Sequence, residues 1–193
     1  MEFNEFRDTV HLPEDAGDYA DDLLEIMNRI PVGWGRWISC DKGWYKLLVD
    51  TNRKMKMMWP QYEIHQVKEK FGTLRFYWGI NSEDENWAAM NEDVRNTVYG
   101  IMEDIAHQAE NRSQYICETC GNYGTNRVRR YWYKTLCAPC AIEQKYPLEE
   151  WEEKKYNPAK ECDHTQTPDN WENQTPYCRT CGADMSSEYE MGN

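Results

Sequence analysis

Cys117-Glu118-Thr119-Cys120-Gly121, followed after fifteen residues by Cys137-Ala138-Pro139-Cys140, is the stretch on which the fold turns. A Cys-x-x-Cys knuckle supplies two thiolates from one tight turn, and Zn²⁺ takes four soft ligands in a tetrahedron. Two such pairs at this separation predict one closed zinc site made by Cys117, Cys120, Cys137 and Cys140. Gly121 stands where the chain leaves the knuckle, a point that asks for a backbone angle side chains resist. Between the pairs, Arg127 to Leu136 alternates as a β-hairpin does, with Asn122 to Asn126 as its expected loop. After Cys140, Ala141-Ile142-Glu143-Gln144-Lys145 begins a helix.

A second set lies further on. Cys162-Asp163-His164 is followed, after thirteen residues, by Cys178-Arg179-Thr180-Cys181. Cys162, His164, Cys178 and Cys181 predict a Cys₃His zinc module of ribbon or knuckle type, because a closed structural site wants four ligands. Seven of the eight cysteines and one of the four histidines are thereby used, and only Cys40 is left over. Neither site keeps a position for water, so both are expected to be structural, with two Zn²⁺ in all.

Composition explains why metal is needed. Leu, Ile, Val and Phe total 28 of 193 residues, a sparse aliphatic supply, although nine Trp and thirteen Tyr add buriable surface. Each zinc is expected to contribute about 10–16 kcal/mol of folding free energy on the scale of zinc-finger peptides.

Upstream of the knuckle the signals are those of an α+β domain. Ala20, Leu23, Met27 and Ile30 recur at helical spacing and stop at Pro31. Trp44, Leu47, Leu48, Thr51, Met55 and Met58 form a second stripe that ends before Pro60, with Lys46, Arg53, Lys54 and Lys56 on the opposite face. Residues 62–68 and 74–80 read as a hairpin about Gly72, with Leu74, Phe76 and Trp78 on one face. Ser82 and Glu85 have the spacing of a capping box. Trp87, Met90, Val94, Val98, Ile101, Ile105 and Ala109 then predict one long helix over about 83–112. The expected organisation is an α+β domain over 1–113 with an acidic N-terminus, a zinc module over 114–146, a charged connector over 147–159, a Cys₃His module over 160–185 and a flexible tail over 186–193.

Charge is blocked along the chain. The total is 34 Asp and Glu against 22 Lys and Arg, net −12, yet residues 31–80 carry nine cations against four carboxylates. Arg127, Arg129, Arg130 and Lys134, interleaved with Trp132 and its tyrosine neighbours, make the best local nucleic-acid pattern, since cations meet phosphate and aromatics offer stacking faces. The net charge weighs against it, because a field of that sign repels phosphate beyond a Debye length of about 8 Å. Cys40 and His65 suggest a nucleophile and base, but nothing in the sequence places them together, and no phosphate-binding glycine loop is present. The N-terminus has neither a basic start nor an apolar run, and no segment has the ~18 apolar residues of a membrane span, so a cytoplasmic protein is expected.

Knuckle, hairpin and a second pair at a helix start resemble the treble-clef zinc finger. Treble clefs also host HNH-type nucleases, which need histidines on the hairpin and helix, and residues 121–136 and 141–160 contain none. Lys68-Glu69-Lys70-Phe71-Gly72-Thr73-Leu74-Arg75-Phe76-Tyr77, with Gly33-Trp34-Gly35 and Gly43-Trp44 before it and the cysteine pairs after it, resembles small uncharacterised zinc-finger proteins of bacteriophages and bacteria. The resemblance covers about residues 31–142 and implies a fold but no activity. The function expected is a non-enzymatic interaction protein: a phage accessory factor that binds and modulates or inhibits a host protein, such as a defence or nucleic-acid-handling enzyme. The alternative is nucleic-acid binding through Arg127, Arg129, Arg130, Trp132 and Lys134.

Overall fold

A computed structural model describes residues 5–81, 83–149 and 152 of the chain. Among them are six helices, α1 (Glu5–Asp8), α2 (Ala20–Asn28), α3 (Tyr45–Met58), α4 (Glu85–Ala89), α5 (Glu92–Ser113) and α6 (Ala138–Glu143). Five strands accompany them, β1 (Ile38–Ser39), β2 (Glu63–Lys70), β3 (Thr73–Gly79), β4 (Thr125–Arg129) and β5 (Trp132–Leu136). The fold is α+β, as expected. No helix among the described residues is long and apolar enough to cross a membrane. The chain divides into two units, 1–140 and 141–193. The 117–140 cysteines belong to the first unit, together with α1–α5 and all five strands. In the second, the amide of Tyr146 donates to the carbonyl of Ala141 (2.8 Å) and closes the end of α6.

The two early helices form where apolar spacing predicts them. α2 buries Leu23, Ile26 and Met27, and α3 buries Leu47, Leu48, Thr51 and Met55. Their polar faces meet through opposite charge: Asp22 of α2 lies 3.0 Å from Arg53, and Glu25 lies 2.9 Å from Lys56. The acidic N-terminal segment thus neutralises the basic side of α3.

Sheet order is β1-β2-β3, with β1 parallel to β2 and β2 antiparallel to β3. Ile64, Val67, Leu74 and Phe76 point into the core, and Trp78 packs on its margin. The outer edge of β3 is closed by α5 rather than by another strand. Ser113 Oγ accepts from the amide of Leu74 (2.9 Å), and Glu110 Oε1 accepts from that of Phe76 (3.2 Å). Buried backbone donors need partners, and here two side chains of one helix supply them.

The long helix expected over 83–112 is two helices. Met90 adopts an extended backbone (φ −71°, ψ 147°), and the Asn91 side chain caps α5 by accepting from the amides of Asp93 and Val94. An N-cap carboxamide competes well with continued helix, so the break falls there. The buried stripe is also rotated from the expected one. Met102, Ala106, Ala109 and Ser113 are buried, whereas Val94 and Ile101 are exposed. Ser82 of the expected capping box lies outside the described residues; the described cap of α4 is Asp84, whose carboxylate accepts from Asn86 and Trp87 amides.

Candidate metal centre and its setting

The knuckle is closed by its own backbone. Gly121 donates its amide to the carbonyl of Cys117 (2.8 Å), and Cys117 donates to Asn122 (2.7 Å). Gly121 has φ 82°, the left-handed region in which glycine is unstrained. The chain then pairs at Ile116 and Tyr123 and enters the β4–β5 hairpin. That hairpin turns at Arg130-Tyr131, between Arg129 and its partner Trp132, and not over Asn122 to Asn126 as expected. Cys137 and Cys140 flank the start of α6.

These elements bring the four expected sulfurs together. Every Sγ of Cys117, Cys120, Cys137 and Cys140 lies within 4.8 Å of the others, and those of Cys120 and Cys137 are 3.5 Å apart. A tetrahedral zinc with bonds near 2.3 Å would set sulfurs about 3.8 Å apart, so the donor set has the size and softness such an ion requires. Cys117, Cys137 and Cys140 are buried, and Cys120 is exposed. This group can hold a metal ion. Cys162, His164, Cys178 and Cys181 lie outside the described residues, as do the connector from 153, the Cys₃His module and the tail.

The knuckle is fastened to the α+β part by contacts that spacing alone does not reveal. Gly43, in the 3₁₀ turn before α3, donates its amide to the carbonyl of Glu118 (2.7 Å). A methyl group there would overlap the carbonyl oxygens of Cys117 and Glu118. Next to it, the buried Trp44 indole donates to the carbonyl of Ile116 (2.7 Å). On the hairpin side, Thr135 Oγ1 donates to the carbonyl of Gly72 (2.6 Å) and Asn126 Nδ2 to that of Phe71 (2.8 Å).

Glu118, between the first two cysteines, is itself buried. Its Oε1 accepts from the amide of Asp41 (3.3 Å), and Lys134 bonds Asp41 (2.7 Å) while standing 3.9 Å from Glu118. Burial pushes the Glu118 carboxyl up to about 7, against the pull of Lys134.

The basic strand is divided along its length, between its buried base and its exposed tip. Arg127 is buried, with Nε donating to the carbonyl of Leu136 (2.9 Å), and Lys134 is committed to Asp41. Arg129, Arg130 and Trp132 remain at the surface. Of the five residues expected to contact nucleic acid, Arg127 therefore serves the hairpin's own cohesion and Lys134 ties the hairpin to the turn before α3. His65 stacks on Trp34 (4.7 Å), while burial, together with Glu118, Asp41 and Asp15, pushes the Cys40 thiol far up. A thiol so disfavoured as thiolate is a poor nucleophile.

At its tip the hairpin departs from usual turn chemistry. Arg130 and Tyr131 both have positive φ, 55° and 93°, in a two-residue connection that normally selects Asn-Gly. Tyr131 is 96% exposed and Trp132 74%. No family model, curated protein or solved structure matches the chain.

Proposed function

We propose that this chain is a non-enzymatic interaction protein, stabilised by structural zinc, that binds and modulates another protein through the tip of the β4–β5 hairpin. Four thiolates would fill a zinc tetrahedron and keep no position for water or substrate, in the arrangement of a treble clef. The Cys₃His set is proposed as a second structural zinc site. The resemblance to phage and bacterial zinc-finger proteins makes a host protein the partner to look for.

One observation carries the reading: the strained turn at Arg130-Tyr131. A non-glycine residue held in the left-handed region costs about 1–3 kcal/mol. Here two consecutive residues bear that strain, and the geometry holds Tyr131 and Trp132 out in water. Tyr, Trp and Arg are the residues that dominate interface energetics. A rigid scaffold presenting all three on a preset turn loses little entropy on binding.

The test places a photo-crosslinking residue at Tyr131 and captures partners from a host lysate, beside a Tyr131→Ala/Trp132→Ala variant. A specific protein should crosslink, and the variant should lose it at unchanged melting temperature. Capture that ignores the tip, or recovery of nucleic acid without protein, would reject the proposal.

A further inference from the structure

The face of the β1–β2–β3 sheet turned away from the core carries a row of cations. Lys68 and Arg75 are direct cross-strand partners there, and Lys70 pairs with Thr73 one step on. Like charges placed opposite one another destabilise a sheet. Elsewhere Arg29, Lys46, Arg53, Lys56 and Lys134 each have a carboxylate within 4.0 Å. Among the described residues no carboxylate comes that close to Lys68 or Lys70. In a chain of net −12, this face sets Lys68, Lys70 and Arg75 side by side, with Glu110 beside Arg75 alone.

What these two lysines do touch is aromatic. Lys68 Nζ lies 5.4 Å from the centre of the Tyr77 ring, and Lys70 Nζ lies 5.4 Å from that of Phe71. Tyr77 is 42% exposed and Phe71 60%. Arg75 adds a third cation, held by Thr73 Oγ1 (2.6 Å) and the Leu74 carbonyl (2.9 Å), with Glu110 4.0 Å away. On β2, Glu69 falls on the opposite face, and Glu63 sits at the far end beside Gly79.

We infer that this face binds single-stranded nucleic acid, with Lys68, Lys70 and Arg75 on phosphates and Tyr77 and Phe71 under bases. Cations beside open rings are the combination that sequence-tolerant single-strand binders use. An acidic protein segment would answer the charge but leave the rings without planar partners. The site uses none of the residues from Arg127 to Lys134, although the Phe71 ring packs edge-on against Tyr133 (5.6 Å). The surrounding negative field limits affinity, and three phosphate contacts on a single strand set a salt slope of about −2 in log K against log salt.

Fluorescence anisotropy of labelled 12-mer oligo-dT and oligo-U, with a 12-mer duplex and oligo-glutamate as competitors, tests this on the full chain. Either single strand should bind at 50 mM salt with that slope. Lys68→Gln/Lys70→Gln should remove most of the slope, and Tyr77→Ala should weaken binding about tenfold without changing the slope. Melting curves identify folded variants, and Arg75→Gln provides an independent cation variant at a second position. Tyr131→Ala/Trp132→Ala should bind the oligonucleotides normally, which separates this site's failure from that of the protein-binding tip. No binding at 50 mM salt, equal binding of duplex, binding indifferent to the folded Lys68, Lys70 and Arg75 variants, or stronger competition by oligo-glutamate would each overturn it.

Discussion

The backbone amide of Gly43 donates to the carbonyl of Glu118 at 2.7 Å, tying the turn that begins α3 to the cysteine knuckle. Gly43→Ala would push a methyl group into the Cys117 and Glu118 carbonyls. Overpacking of this kind costs about 1–3 kcal/mol. The expected result is a lower denaturation midpoint together with weaker zinc retention in a chelator competition. Unchanged zinc retention would show that the two regions are not coupled.

Chelation is expected to loosen more than the cysteine hairpin. Hydrogen exchange should rise at Asp41 to Leu47 and at Phe71 to Thr73 as well as over 115–140, because Trp44 and Gly43 bond to the knuckle and Gly72 to the hairpin. Faster exchange confined to 115–140 would contradict this.

Ser113→Ala should leave the Leu74 amide without its acceptor. An unsatisfied buried donor costs about 1–3 kcal/mol. The stability loss should appear in chemical denaturation, with the Leu74 amide exchanging faster than in the parent protein.

Glu25 supplies the pH dependence. The hydrogen bond from Lys56 lowers its carboxyl below the ordinary range, burial opposes this, and Arg29 adds to the lowering. A folded-state value below the unfolded one means that its contribution is present above the unfolded pKa, about 4.3, and is lost as pH falls through the folded value. Glu25→Gln should therefore be slightly less stable at pH 7, with the two proteins converging as pH falls through the folded value. The effect is small because the group is partly exposed and solvent screens it. A gap that does not shrink as pH falls would point to packing instead of charge.

Legibility followed the kind of signal. α2 and α3 could be read from spacing because each has one apolar face and a proline after it, and the 117–140 ligands could be read because a knuckle is a local motif. The break at Met90 could not: Asn91 looks like a polar position on a continuous helix until its side chain turns back to cap the next one. The exposure of Val94 and Ile101 follows from where α5 settles on β3, which depends on Ser113 and Glu110 reaching distant amides. Arg127 reads as a surface cation because its burial against β5 depends on a turn at Arg130-Tyr131, where no glycine or asparagine announces one. Gly43 carries no local motif at all; its reason is a contact 75 residues away.

The closure of β3 by α5 also bears on how this molecule behaves in a crowd. A strand with free amides along its rim is a template onto which any extended segment can crystallise, the first step toward fibres. Here that rim is occupied by a helix, and the opposite one is covered by a strand of only two residues. Among the described residues, the β3 rim therefore has little free ladder to offer a second copy of the chain.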